Sequence, residues 1–189
     1  MQYTEQEMLS KDIDWMVGIG FHFVHAASAG GQLPTVIQQA KEDNQEYYSK
    51  ICKLPDFFTN EHIEVNPLLR DILRIDQQKE QYQMVLKTLK IDFGNDVIAT
   101  YIEKLYIPAF LRFARKGFIS FDRSNKWEAE DNNYHWVVRP KIQDFKEKLL
   151  ADIKFPQLPS NKETFHEITM QTRSNTPIPL VDFVNTLYE

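Results

Sequence analysis

The amino-acid sequence predicts an α+β fold. One antiparallel sheet, built from an N-terminal and a C-terminal hairpin, is expected to pack against three or four helices. Three observations carry this. Residues 12–34 hold two short runs rich in aromatic and β-branched residues around Gly18-Ile19-Gly20, and Leu33-Pro34 then opens a helix. Residues 67–117 carry apolar side chains at helical spacing. After Gly117 the pattern returns to period two, in 118–122 and again in 134–139. Strands, then helices, then strands is the order of an α+β domain.

The first strand is read at 13–17, where Ile13, Trp15 and Val17 alternate with Asp14 and Met16. The return strand, 21–27, has apolar residues on both faces, so both are expected to be covered. Gly18 and Gly20 supply the positive φ of a tight reversal. Ser28-Ala29-Gly30-Gly31 is a corner where the chain leaves the sheet. A helix then runs from Pro34 until Pro55 stops it, with Val36, Ala40, Tyr47 and Ile51 inward.

A second helical region spans 67–90, interrupted by the polar run 76–81. The third has Asp96 as N-cap and Gly117 as its stop, and Pro108 should kink or split it. The polar run 123–133 joins the two late strands. A short helix is expected at 142–151. A proline-rich, loop-dominated tail follows from about residue 155, with a strand at 165–170 and a last helix at 180–187. No linker divides the chain, so 1–189 reads as one domain.

The chain has 189 residues, 42% hydrophobic and 13% aromatic, which is enough apolar material for a core. Its net charge of −5 argues against nucleic acid or an anionic membrane and suits a basic protein partner. Cys52 is the one cysteine, so no internal disulfide can form, and it reads as a packed thiol. The polar start has no signal-peptide pattern, and no window nears the ~20 apolar residues of a spanning helix. The expected compartment is the cytoplasm.

Several residues invite a chemical reading. His22 and His25 are three apart in a strand and point to opposite faces, so they cannot share an ion, and neither a metal nor a cofactor is expected. Asp12 and Asp14 share a face and could work as acid and base or bind a hard cation, although charge at a sheet edge explains them better. The loop at Ser28 could cradle an anion, but it lacks the spacing and lysine of a phosphate loop, and a tight turn accounts for it. No G-x-S-x-G surrounds Ser28. An enzyme here would be a small hydrolase or ligand-binding enzyme with Asp14, His25 and Ser28 at the first hairpin. Trp15 and Trp136 lie in strands and read as core. Trp127 lies in the polar run beside Glu128, Glu130 and Asp131; this aromatic with acidic neighbours is the best candidate for contacting a protein, and folding back onto the sheet is the equal alternative.

The opening D-I-D-W … H-A-A-S-A-G-G-Q-L-P resembles a group of small bacterial proteins with a D-W-F strand, a turn, an H-F-A/T-S-G-G strand end and a Leu-Pro helix start. Asp14, Trp15, His25, Ser28, Gly30, Gly31, Leu33 and Pro34 match. Met16 replaces the usual phenylalanine, and Gly-Ile-Gly replaces an Asp/Asn-Gly turn. Lys116 to Pro140 also fits the group's K-G-F-x-S-F-D … Y-x-x-V-x-x-P pattern. Such proteins resemble stand-alone immunity partners of bacterial toxins. The resemblance implies a non-enzymatic protein that occludes a toxin, with no catalytic residues to carry over. The expected contacts are Trp127, Glu128, Glu130 and Asp131.

Overall fold

The opening hairpin forms where the alternation places it. A computed structural model describes residues 1–19, 22–73, 79–124, 133–141, 169–170, 178–179, 182 and 184. Strand β1 (Asp14–Ile19) pairs antiparallel with β2 (His22–Ala27), from Asp14↔Ala27 to Ile19↔His22. Gly18 therefore lies inside the strand, opposite Phe23, rather than in the reversal.

The chain begins with a helix the expectation missed, α1 (Glu5–Ser10). Thr4 and Glu7 cap it reciprocally, side chain to backbone in both directions. Lys41 and the Thr4 backbone N–H hold the Glu7 carboxyl down at about 2. After β2, the expected helix is broken at Ala40 into α2 (Thr35–Gln39) and α3 (Lys41–Cys52). A 3-10 turn (Asn60–His62) then leads into β3 (Ile63–Val65), which the sequence reading also missed. Two helices follow, α4 (Leu69–Ile72) and α5 (Lys79–Thr88).

The third helical region behaves as its signals require. Asp96 caps α6 (Val97–Tyr101), its side chain accepting from the Ala99 N–H at 2.9 Å. A π turn (Ile102–Tyr106) then separates α6 from α7 (Ile107–Ala114). Pro108 lies in the first turn of α7, where its missing N–H costs least, and the ladder widens just upstream. Gly117, at φ +93°, turns the chain out of the helix into β4 (Phe118–Arg123).

Strand β4 pairs antiparallel with β5 (Asn133–Pro140), which forms the second hairpin. The two hairpins share one sheet, as expected, and most of its pairings are antiparallel. Their junction, β2 with β4, is parallel. The segment between these strands carries α2 to α7, and a long crossover is what a parallel pairing needs. β3 pairs with the far end of β5, and β6 (Thr169–Met170) pairs parallel with its near end and antiparallel with β7 (Ile178–Pro179). The expected helix at 142–151 lies outside the described residues; of the expected last helix, Asp182 and Val184 are described and helical.

Both faces of the sheet are covered. On one, Trp15, Val17, Ile19, Val24, Ala26, Ile119, Phe121 and Tyr134 pack with Met8, Leu33, Ile37 and Val184. On the other, Met16 and Phe118 meet Ile51 of α3 and Phe113 of α7. Each fully buried Val, Ile, Phe or Met among them contributes about 1.5–3 kcal/mol on burial. Trp15 is core, as read; Trp136 is only partly buried. Cys52 is exposed, which corrects its reading as a packed thiol, because α3 turns Ile51 rather than Cys52 toward the sheet. No helix among the described residues is long and apolar enough to cross a membrane.

Candidate functional site

The sheet face that carries Met16 and Phe118 also carries a row of polar side chains that strand register places side by side. His25 on β2 lies opposite Ser120 on β4, and Asp122 lies opposite His135 on β5. Asp14, at the start of β1, comes to the same face. Two hydrogen-bonded chains result.

In the first chain, His25 Nε2 lies 2.9 Å from Asp14 Oδ1, and His25 Nδ1 lies 3.2 Å from Ser120 Oγ. Arg112 donates to the other Asp14 oxygen at 2.9 Å. The imidazole stacks on the Phe113 ring at 3.7 Å and is 0% exposed. The sequence-predicted pair Asp14 and His25 is therefore brought together, but Ser28 does not join it. Both ring nitrogens of His25 are already occupied, by Asp14 and Ser120.

The order of the chain decides what it can do. A serine nucleophile must stand at the open end, with the acid behind it. Here Ser120 is 0% exposed and buried under the Phe110 carbonyl, while the Asp14 side chain is 20% exposed and capped by Arg112. The arrangement ties β1, β2 and β4 to α7; it does not offer a hydroxyl to a substrate.

Ser28 has a different task. Its hydroxyl oxygen accepts from the Ile13 N–H at 2.8 Å, and its own N–H donates to the Ile13 carbonyl at 3.1 Å. Asp12 Oδ1 accepts from the Ala29 N–H at 2.7 Å, which holds a corner where Ala29 and Gly30 have φ of +49° and +74°. Asp12 and Asp14 thus each serve a distinct structural partner. Ser28→Ala is expected to lower stability by about 1–3 kcal/mol, because the Ile13 N–H loses its acceptor in a buried setting. Urea denaturation of the purified variant reads this directly, and a loss below a few tenths of a kcal/mol would contradict it.

Asp14 also lines a surface cleft of about 260 Å³ with Tyr3, Glu7, Asp12, Asn44 and Tyr48. His25 is not among its lining residues. Asn44 closes the floor, donating to Tyr3 Oη and to the Asp14 carbonyl.

The second chain was not visible in the sequence. Tyr106 Oη donates to Asp122 Oδ2 at 2.7 Å and lies 2.8 Å from His135 Nε2; His135 Nδ1 lies 3.2 Å from Ser124 Oγ. Burial, then the negative charge of Asp122, pushes the Tyr106 hydroxyl well above its usual range, so it stays a neutral donor. The available signal was the alternation of Ser120, Asp122 and Ser124 along β4 and just past its end, with Asp122 opposite His135, but it required the register between strands.

His22 is partly buried, and desolvation lowers its ring below the usual value. Among the described residues no group of three His, Cys, Asp or Glu side chains could hold a metal ion. Trp127, Glu128, Glu130 and Asp131 lie outside the described residues. The chain matches no family model, no curated protein and no solved structure.

Proposed function

We propose that the chain acts by binding another protein, and in finer form as an immunity-type inhibitor that occludes a basic bacterial toxin one to one. The observation that carries this reading is the use made of the first hairpin's reactive side chains. Asp14, His25 and Ser28 secure strands, a helix and a corner, so the residues on which the resemblance to immunity-like proteins rests serve architecture. The net charge of −5 favours encounter with a basic surface. The contact residues are Trp127, Glu128, Glu130 and Asp131. The described residues on either side of them are tied together, the Ser124 N–H donating to the Asn133 carbonyl at 2.8 Å. A tie of this kind limits the ordering cost that a contact segment incurs on binding.

The test is to co-express the full chain with the product of the neighbouring gene and to measure mass by light scattering after gel filtration. A one-to-one complex is expected. Trp127→Ala combined with Glu130→Lys should weaken it by about 100-fold or more while the circular dichroism spectrum is unchanged, in the range of a lost hot spot. Absence of a complex overturns the reading, and undiminished affinity of the double variant removes these residues from the interface.

A further inference from the structure

The two polar chains on this sheet face run in opposite senses, and the second has its hydroxyl at the outer end. Ser124 follows directly on β4 and is partly exposed, whereas Ser120 is 0% exposed. Its backbone is fixed by the bond to Asn133. Among the described residues its hydroxyl has one partner, His135 Nδ1.

Direction along this chain follows from elementary donor and acceptor chemistry. A carboxylate only accepts, so the single Tyr106 proton is directed at Asp122. The Tyr106 oxygen must then accept from His135, which places the imidazole proton on Nε2. When the ring is neutral, Nδ1 is left as a lone pair, and it faces the Ser124 hydroxyl. Ser124 therefore donates to a base whose tautomer is set from behind by Tyr106 and Asp122. This is the nucleophile, base and orienting-group relation that acyl-transfer sites use, with tyrosine inserted between base and acid.

We propose that Ser124 is a nucleophile activated by His135, with Tyr106 and Asp122 as positioning residues, and that it accepts acyl groups from ester-type carbonyls. In the step, the Ser124 Oγ–C bond forms as its O–H proton passes to His135 Nδ1. The carbon–oxygen bond to the leaving alcohol breaks, and the alcohol takes that proton. Water then attacks the acyl-serine, gives its proton to His135, and Ser124 recovers it. This activity stands apart from the protein-binding reading and does not need it, since labelling and complex formation are measured separately.

The test uses the full chain with an alkyl fluorophosphonate, whose phosphorus takes the serine oxygen as fluoride leaves. Peptide mapping by mass spectrometry reads the site. The expected result is an adduct on Ser124 forming about 100-fold faster than on exposed Ser10 or Ser49, in line with what a positioned general base contributes. Ser124→Ala should lose it. A long-range nitrogen–proton NMR correlation should show His135 as the Nε2–H tautomer, and Tyr106→Phe should lose that signature and slow labelling at least tenfold. No adduct on Ser124, labelling no faster than at Ser10, or a His135 ring protonated on Nδ1 alone overturns the proposal. The unmodified chain decides all three of these outcomes, so a variant that folds poorly does not protect the idea.

Discussion

Asp122→Ala is expected to destabilise the protein by about 3–5 kcal/mol, the largest loss of any single polar truncation on this sheet face. The side chain is 1% exposed and serves two donors at once. Tyr106 Oη–H reaches Oδ2 at 2.7 Å and the Arg123 N–H reaches Oδ1 at 2.9 Å. Alanine leaves both without that acceptor, in a place where water does not readily replace it, and the His135 ring loses the group that fixes its partner's proton. Asp122→Asn keeps an oxygen for one donor and should cost about 1–2 kcal/mol. Denaturant unfolding of both variants, together with Tyr106→Phe and the Asp122→Ala/Tyr106→Phe double variant, closes a cycle. A coupling energy near zero would show that the 2.7 Å contact carries no stability. A loss under 1 kcal/mol for Asp122→Ala would mean that the face tolerates an open polar group, contrary to its burial.

What the sequence could disclose was local, and what it could not was register. Asp96 as a cap, Gly117 as a stop and Pro108 as a divider act within one turn of themselves, and each is found in its expected role. The capping pair Thr4 and Glu7 was equally local and marks the one helix that could have been found but was missed. By contrast, His25 meets Ser120 across a separation of 95 residues, and Tyr106 meets His135 across 29. No local pattern encodes such pairings. The first follows from β2 lying parallel to β4 and the second from where the π turn lies against β5, and both depend on how the six intervening helices pack. The β3 strand escaped for a related reason: three residues have no period of their own, and Ile63–Val65 is extended because β5 offers an edge. Of the three side chains that an enzyme reading groups at the first hairpin, Asp14 and His25 meet, and Ser28 does not join them. Ser28 is near in sequence but is held by Ile13, while Ser120 is distant in sequence and adjacent in the sheet.

Gly31→Ala is expected to cost about 2–3 kcal/mol, more than Gly30→Ala beside it, and the order is the informative part. Conformation alone gives the reverse order. Gly30 sits at φ +74°, where an added Cβ is strained by about 1–2 kcal/mol, but its nearest neighbour would be the Leu9 carbonyl at a tolerable 3.4 Å. Gly31 has no positive φ. Its reason is space: an alanine Cβ would lie 0.8 Å from Arg123 Nη1 and 2.1 Å from Cζ, so the guanidinium must move. A surface arginine would swing aside at little cost. Arg123 is 1% exposed, close to the buried Tyr134 hydroxyl, whose pKa burial raises to about 12 although the guanidinium's charge opposes that rise. Moving it means carrying a charge through packed side chains away from its partners, or expelling it and leaving a void. Both glycine variants, compared by thermal and urea unfolding, test this. If Gly30→Ala proves the more costly, the guanidinium has room to relocate, and the glycine pair at this corner is explained by turn conformation alone.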